Sequence, residues 1–301
     1  MSFDLYFYKR KDEEISSAAI GNWLTANGCV RKGDFPQWLY GNEDTGVYFS
    51  FEIQEPDDDP EAIEMFEKFS DFENTQFTFN LNFVRPNFFA LEAFPFVERF
   101  LTDLELFALN PQSRVDPDNP RKEKSHDYYS DWSRTNLRFS ADHFDEFGLK
   151  YLPLEKSNDY WRYNFQKGEL QNRLGDEYFV PTLILAKRAV TGDAITLSTW
   201  TQHIPNIFPP ADYFVIIRKR KKLFRTVDET GIIARETLLL TFADYLEDYD
   251  FKDCKIIHPE NAEKVGGIFN NVVFDFLLEG FFEPLEIENL TNAERSSQQK
   301  I

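Results

Sequence analysis

The segment TQFTFNLNFV, residues 75–84, constrains the fold more than any other part of the chain. Its apolar side chains alternate with polar ones, which places Phe77, Phe79, Leu81 and Phe83 on one side. A period of two puts every second side chain on the same face of a β-strand, so this strand has one apolar and one polar face. The chain therefore contains a sheet with one buried face. Three rigid rings in one strand also predict a tightly specified core.

A proline ends this strand, and the residues after it predict a helix that covers the sheet. Pro86 cannot continue a strand ladder, and Asn87 is a good candidate for a helix N-cap. Beyond Asn87 the apolar side chains recur at helical spacing and form a broad stripe. Pro95 lies inside this stripe, so the helix either begins at Pro95 or is kinked there.

The remaining elements of the first third predict the order β-α-β-β-β-α-β within residues 1–112. Alternating segments predict strands, helical spacing that stops at Gly28 predicts a helix, and a Gly/Asn-rich turn predicts a hairpin. These segments are FDLYFYKR (3–10), EEISSAAIGNWLTANG (13–28), QWLYGNEDTGVYFSFEI (37–53) and LFALNPQ (106–112). Residues 1–112 are thus expected to form an N-terminal α+β domain.

Residues 113–136, SRVDPDNPRKEKSHDYYSDWSRTN, are rich in prolines and charges and show no apolar period. This composition predicts a linker or a binding loop between two domains. Residues 137–290 are expected to form the second α+β domain, and the polar residues 291–301 a frayed tail. The expected fold class is α+β, with two layered domains, each a mostly antiparallel sheet covered by helices.

Within the second domain, Ser140 is a candidate cap for one helix, and a second helix is predicted from Asn158 to Leu174. Apolar runs separated by turn residues predict antiparallel strands in YFVPTLILAKR (178–188), AITLSTWT (194–201) and DYFVIIRKRKKLFRTV (212–227). Two helical stretches, 235–249 and 258–280, flank a short strand KIIH (255–258). The basic cluster Arg218–Arg225 is interpreted as charged protection of a sheet edge, with phosphate binding as the alternative.

The charge balance restricts the possible partners. The chain carries 52 acidic and 33 basic residues, a formal net charge of -19. Such a charge repels nucleic-acid backbones and anionic membranes, so neither is expected as a partner. The most acidic segment begins after Pro56 and continues past Pro60, and it either steers a basic partner or is simply a solvated loop. Its candidate partner-binding residues are Asp57, Asp58, Asp59, Glu61 and Glu64.

Five more candidate partner-binding residues lie in the predicted linker. They are Asp127, Tyr128, Tyr129, Asp131 and Trp132. Tyrosine and tryptophan are the residue types that most often anchor protein interfaces, and loops often carry such functions. The alternative is that these rings only pin the linker onto a core.

Motifs that would identify an enzyme or a cofactor site are absent from the sequence. It contains no P-loop, dinucleotide-binding, zinc-protease, nucleophile-elbow or kinase motif. No catalytic residue, cofactor or metal is therefore assigned. One enzymatic alternative remains, with a cleft between the two halves around Arg85, Glu92, His126 and Asp131. In that alternative Glu92 is a base and Arg85 stabilises an oxyanion, whereas the structural interpretation makes them an ion pair.

Cys29 and Cys254 are too few and too widely spaced for a disulfide framework or a zinc knuckle. The N-terminus lacks the basic and apolar regions of a signal peptide, and no run of 18 uncharged apolar residues occurs. These observations predict a soluble protein of the cytoplasm.

Four short segments carry a resemblance to a known group of proteins. FDLYFYKRK (3–11), NFVRPNFFALEA (82–93), LNPQ (109–112) and IHPENA (257–262) are similar to uncharacterised bacterial cytoplasmic proteins that resemble immunity proteins of polymorphic toxin systems. The resemblance implies a protein that binds and neutralises a cognate toxin domain. It assigns no catalytic residue. Because many toxin domains are basic, an acidic binder complements them electrostatically.

Overall fold

The computed structural model describes residues 1–33, 36–55, 66, 68–222 and 225–295, and the chain divides into two units. The first unit is residues 1–149 together with those from Leu290 onward, and the second is residues 150–289. This division differs from the predicted one, because the whole segment 113–136 belongs to the first unit. Thr291 and Ala293 are buried, so the start of the predicted tail is packed.

Seven helices occur in the described residues. They are α1 (Ser17–Ala26), α2 (Phe88–Asp103), α3 (Ser125–Asp142), α4 (Leu154–Leu174), α5 (Arg235–Thr241), α6 (Pro259–Lys264) and α7 (Gly266–Asn271). Short 3-10 turns span Ala243–Tyr245 and Ile287–Asn289.

The strands of the described residues fall into the two units. Those of the first unit are β1 (Ser2–Arg10), β2 (Val30–Arg31), β3 (Gln37–Gly41), β4 (Tyr48–Ile53), β5 (Phe72–Asn82), β6 (Phe107–Leu109) and β17 (Leu290–Thr291). Those of the second are β7 (Lys150–Tyr151), β8 (Ile184–Arg188), β9 (Ala194–Thr201), β10 (Asn206–Phe208), β11 (Tyr213–Lys222), β12 (Arg225–Ala234), β13 (Glu247–Asp248), β14 (Lys255–Ile257), β15 (Phe276–Leu277) and β16 (Phe282–Pro284).

The first unit contains a six-stranded antiparallel sheet in the order β2-β3-β4-β5-β1-β6. Its inner face is aromatic, and Phe51 lies opposite Phe79 in the register of β4 and β5. Helix α2 covers this face, because its Phe100 packs against Phe7 and Phe51 with ring centroids 4.8 and 5.1 Å apart. The predicted strand with alternating phenylalanines and the predicted covering helix are both confirmed.

Helix α2 begins at Phe88 and continues through Pro95, so a helix start at Pro95 is wrong. Asn87 occupies the N-cap position but makes no side-chain capping bond. Its side-chain oxygen instead accepts a hydrogen bond of 2.7 Å from the hydroxyl of Tyr129. Asn87 therefore connects the start of α2 to helix α3.

The second half of the segment predicted as a linker is helical. Helix α3 buries a stripe at a spacing of four residues, consisting of Tyr128, Trp132, Asn136 and Ser140. Two of these four side chains are polar, so the stripe shows no apolar period in the sequence. The predicted helix start at Ser140 is wrong, since Ser140 is a buried residue inside α3. The amide of Asn136 donates to the carbonyls of Phe83 and Arg85, which fixes α3 at the end of β5.

The second unit contains a six-stranded sheet in the order β15-β12-β11-β9-β8-β16 and a three-stranded sheet in the order β10-β14-β13. The pairing is antiparallel except between β9 and β11, where Leu197 lies beside Tyr213 in a parallel register. The chain passes through β10 between these two strands instead of making a hairpin. Trp200 anchors the core through an edge contact with Phe269, with centroids 4.6 Å apart. The predicted second helix ends at Leu174, as expected, and begins four residues before the predicted start, at Leu154.

The basic cluster Arg218–Arg225 lies where β11 and β12 form a hairpin. The side chain of Arg218 is buried and makes structural contacts inside the second unit. Its guanidinium pairs with Glu229 at 2.8 Å and donates to the carbonyls of Phe269 and Val272. This first residue of the cluster therefore has a structural role, whereas the turn at 223–224 lies outside the described residues.

Candidate functional site

The residues predicted to bind a partner fall into several environments. Asp57, Asp58, Asp59, Glu61 and Glu64 lie outside the described residues. The other five lie along the first two turns of α3. This helix is therefore the part of the molecule where the candidate residues can be located.

Tyr128 and Trp132 face the core and are fully buried. The indole nitrogen of Trp132 donates to the carbonyl of Asn82 at 3.3 Å, and the ring of Tyr128 lies 5.8 Å from that of Phe94. The prediction that these two rings contact a partner is wrong, because the inner stripe of α3 packs them against the first sheet and α2. The alternative, that they pin this segment onto a core, describes them correctly.

Tyr129 lies on the other side of α3, beside a small apolar groove. The groove lies between α2 and α3 and has a volume of about 230 Å³. It is lined by Ala90, Leu91, Pro95, Ser125, His126 and Tyr129. Since the hydroxyl of Tyr129 is held by Asn87, its ring is a fixed wall of this groove.

The first turn of α3 is held by two carboxylates. Glu98 on α2 accepts a hydrogen bond of 2.7 Å from the backbone nitrogen of Ser125 and pairs with Lys124 at 3.1 Å. Asp127 accepts from the backbone nitrogen of Lys124 at 3.2 Å, as in a capping box. The Ser125 N–H lowers the pKa of Glu98. These contacts fix the position of the exposed Asp127 relative to the groove.

A charged cavity of about 390 Å³ lies between α3 and the segment that leads into it. Five of its lining residues are basic and three are acidic. The lining consists of Ser113, Arg114, Val115, Arg121, Lys122, Glu123, Lys124, Asp127, Ser130, Asp131 and Arg134. The sequence prediction found Asp127 and Asp131 but missed the basic residues. Three of these five basic residues lie in the run RKEK (121–124), which is a local basic signal within an acidic chain.

Glu123 and Asp131 are buried acids in the wall of this cavity. Glu123 pairs with Arg121, while Asp131 accepts from the amide of Asn110 at 3.1 Å and lies 3.6 Å from Arg134. Burial raises the pKa of both carboxyl groups despite these partners. Carboxyls with raised pKa in a cavity are frequent at functional sites.

The four residues of the enzymatic alternative do not share one site. Asp131 lines the charged cavity, and His126 lines the groove. The carboxylate of Glu92 accepts three hydrogen bonds from the β3–β4 hairpin. Arg85 donates to the hydroxyl of Tyr48 and lies over its ring, with 5.1 Å between the guanidinium carbon and the ring centroid. Arg85 and Glu92 therefore have different partners, and the predicted ion pair between them is wrong.

The second unit has a cavity of about 530 Å³ that the sequence analysis did not anticipate. Lys156 pairs with Asp212 in its wall, and Asp212 also accepts from Thr196. Arg235 donates to the carbonyls of Pro209 and Asp253. Most charged groups in the wall of this cavity are thus engaged with each other or with the backbone.

Within the described residues, no group of three or more His, Cys, Asp or Glu side chains is placed to hold a metal ion. No helix in that part of the chain is both long and apolar enough to cross a bilayer. Both cysteines are free and buried, and burial raises the pKa of each thiol to about 12. No family model, curated protein or solved structure matches the chain.

Proposed function

We propose that this chain is an acidic protein-binding module that binds and neutralises a basic bacterial toxin domain. The observation that carries the proposal is the apolar groove between α2 and α3, which lies in a strongly acidic unit. The first unit has 30 acidic and 16 basic residues, whereas the second has 22 and 17. The immunity-protein resemblance of the sequence points to the same class of partner.

The groove supports a protein partner by its size and lining. Pockets for drug-sized ligands occupy about 300–1,000 Å³, so a groove of about 230 Å³ suits one anchoring side chain of a partner. Interfaces are stabilised by a few such anchors in apolar pockets, with polar residues around them. Here Tyr129 forms the fixed wall, and the exposed His126, about one turn before it on α3, lines the same groove.

The charge of the first unit supports a basic partner. Complementary charge accelerates association and disfavours acidic competitors, and both effects weaken as salt is added. A basic domain is therefore expected to associate faster at low salt than at high salt. The anchored side chain is expected to control dissociation instead.

Growth rescue by co-expression tests this proposal. The product of the gene adjacent to this one is expressed in a bacterial host, alone or with this chain. We expect the adjacent product to stop growth and this chain to restore it. The purified pair should form a complex whose association rate falls as salt is raised.

A pair of matched variants locates the interface. Leu91→Arg adds a cation to the groove, while Leu137→Arg adds the same group to the exposed surface of α3 outside the groove. We expect Leu91→Arg to abolish rescue and Leu137→Arg to retain it. Circular dichroism should show that both variants are folded. An adjacent product that neither stops growth nor binds this chain would contradict the proposed function. Equal rescue by both variants would contradict the groove as its site.

A further inference from the structure

The charged cavity beside α3 has an excess of basic residues, although the unit that contains it is acidic. The first unit has almost twice as many acidic as basic residues, yet the cavity has five basic residues and three acidic ones. Clustered cations in a concave surface focus the local potential and attract anions. The cavity is therefore a place in the described part of the first unit where a small anion is favoured.

Two of the five cations make no close ion pair within the described residues. Neither Arg114 nor Lys122 has a carboxylate oxygen within 4.0 Å among the ion pairs of the described residues. Lys122 lies over the ring of Phe107, with 5.0 Å between its Nζ and the ring centroid, and the side chain of Arg114 is exposed. Arg134 is only loosely held, since 3.6 Å separate it from Asp131. These three side chains can donate to a ligand without breaking a close ion pair.

The floor of the cavity is rigid. Arg121 is bridged to Ala108 by two backbone hydrogen bonds of 2.9 and 3.0 Å. Its guanidinium donates to the hydroxyl of Ser113 at 2.8 Å and pairs with Glu123. Lys124, at the rim, is held by Glu98. A floor that is ordered before binding does not have to be arranged when a ligand arrives, so it lowers the entropy cost of binding to the side chains above it.

We propose that this cavity binds a small phosphorylated molecule, whose phosphate is held by Arg114, Lys122 and Arg134. Guanidinium groups offer paired donors that match the oxygens of phosphate, and lysine adds a point charge. The volume of about 390 Å³ exceeds that of a bare phosphate group and is within the range of small-molecule pockets. This site is separate from the groove and does not rest on the proposed function.

The acidic residues of the cavity lead to a second prediction, in which a variant binds phosphate more tightly instead of more weakly. Asp131 places a negative charge beside the expected phosphate and partly occupies Arg134. Asp131→Asn removes the charge and retains an oxygen that can accept from Asn110. This variant is therefore expected to bind phosphate more tightly than the natural chain. A gain of affinity is not produced by misfolding.

Titration calorimetry of the full chain with pyrophosphate tests the site, with sodium chloride at matched ionic strength as the blank. We expect saturable binding, weakened at least about tenfold by the double variant Arg114→Gln, Lys122→Gln, because two charge-assisted contacts are lost. The double variant Arg138→Gln, Lys32→Gln removes the same charge from exposed positions outside the cavity and should change affinity less than about twofold. Asp131→Asn should tighten binding at least about threefold.

Three results would overturn the site. One is the absence of saturable pyrophosphate binding above the blank. Another is an equal loss of affinity in both double variants, which would indicate general surface charge. The third is binding of citrate as tight as that of pyrophosphate, which would exclude a phosphate-selective cavity. None of these results depends on a protein partner, so the proposed function can fail or succeed independently.

Discussion

The carboxylate of Glu92 accepts a hydrogen bond of 2.9 Å from the hydroxyl of Thr45, a fully buried residue in the turn between β3 and β4. The same carboxylate accepts from the hydroxyl of Tyr40 at 2.9 Å and from the amide of Asn42 at 2.7 Å. Burial of a carboxylate is costly unless hydrogen bonds satisfy its oxygens. Glu92 therefore ties helix α2 to the hairpin through three donors of one short segment.

Removal of this carboxylate should loosen the first unit. Glu92→Ala removes the carboxylate that accepts from the buried Thr45 hydroxyl and the half-buried Tyr40 hydroxyl, and we expect a loss of about 3 kcal/mol in the free energy of unfolding. Glu92→Gln keeps one acceptor oxygen and should cost less. Urea unfolding measures both. Glu43→Ala, an exposed change in the same turn, should stay within about 0.5 kcal/mol of the natural chain, and a similar small effect of Glu92→Ala would refute the structural role.

The sequence predicted the elements whose burial is apolar and missed those whose burial is polar. Strand β5 was found because its buried side chains alternate visibly, with Phe77 and Phe79 among them. Helix α3 was missed because Asn136 and Ser140 complete the stripe that begins at Tyr128. A polar side chain in a buried stripe is satisfied by contacts that only the fold creates, such as those of Asn136 with the end of β5.

Partners distant in sequence were the second limit of prediction. The sequence predicts that Glu92 pairs with Arg85, seven residues away, but the three donors to Glu92 lie in a hairpin about fifty residues earlier. The charged cavity was missed for a related reason. Its basic residues are dispersed in a chain with an acidic total, and only the fold brings them together, at the segment after β6 and the first turns of α3.

Glu98 should stabilise α3 in a manner that depends on pH. The N–H of Ser125 at the start of α3 lowers the pKa of Glu98 below its ordinary value of 4.5. A carboxyl with a lowered pKa stabilises the folded state fully above its ordinary pKa, and this contribution is lost as pH falls through the folded pKa. We expect Glu98→Ala to cost about 1 kcal/mol near neutral pH, as for other helix caps. The difference from the natural chain should shrink below pH 4.5.

Thermal unfolding across the acidic range measures this difference. Glu14→Ala, an exposed change outside a helix, serves as the control and should show no such pH dependence. A Glu98→Ala penalty that stays constant down to strongly acidic pH would mean that the hydrogen bond to Ser125 does not stabilise the ionised form.

The effect of Asp131 on stability should depend on pH in the opposite sense to that of Glu98. Burial raises its pKa above the ordinary value of 3.8, so the folded state favours the protonated form. The destabilising effect of the ionised group appears as pH rises through the folded pKa and is absent below the unfolded one. We expect Asp131→Asn to raise the melting temperature at neutral pH and to lose this advantage as the solution is acidified. Asp142→Asn, at the exposed end of the same helix, is the matched control. A melting temperature of Asp131→Asn below that of the natural chain at every pH would show that the contacts of the ionised form with Asn110 and Arg134 outweigh its burial.

Two glycines of the second unit should respond to alanine with opposite signs. A Cβ at Gly231 would overlap the ring of Phe274, over which the guanidinium of Arg218 lies with 4.3 Å between its carbon and the ring centroid. Insertion of a methyl group into such packing costs about 1–3 kcal/mol, so Gly231→Ala should lower the free energy of unfolding.

Gly168 lies inside α4, and a Cβ there meets no atom within 4 Å. Gly168→Ala should therefore stabilise the helix by about 0.5–1 kcal/mol, because alanine loses less backbone entropy on folding than glycine. Urea unfolding of the two single variants and the double variant measures both effects, which should add since the sites share no partner. Stabilisation by Gly231→Ala would mean that Phe274 moves aside freely, and the clamp of Arg218 on this part of the sheet would then be loose.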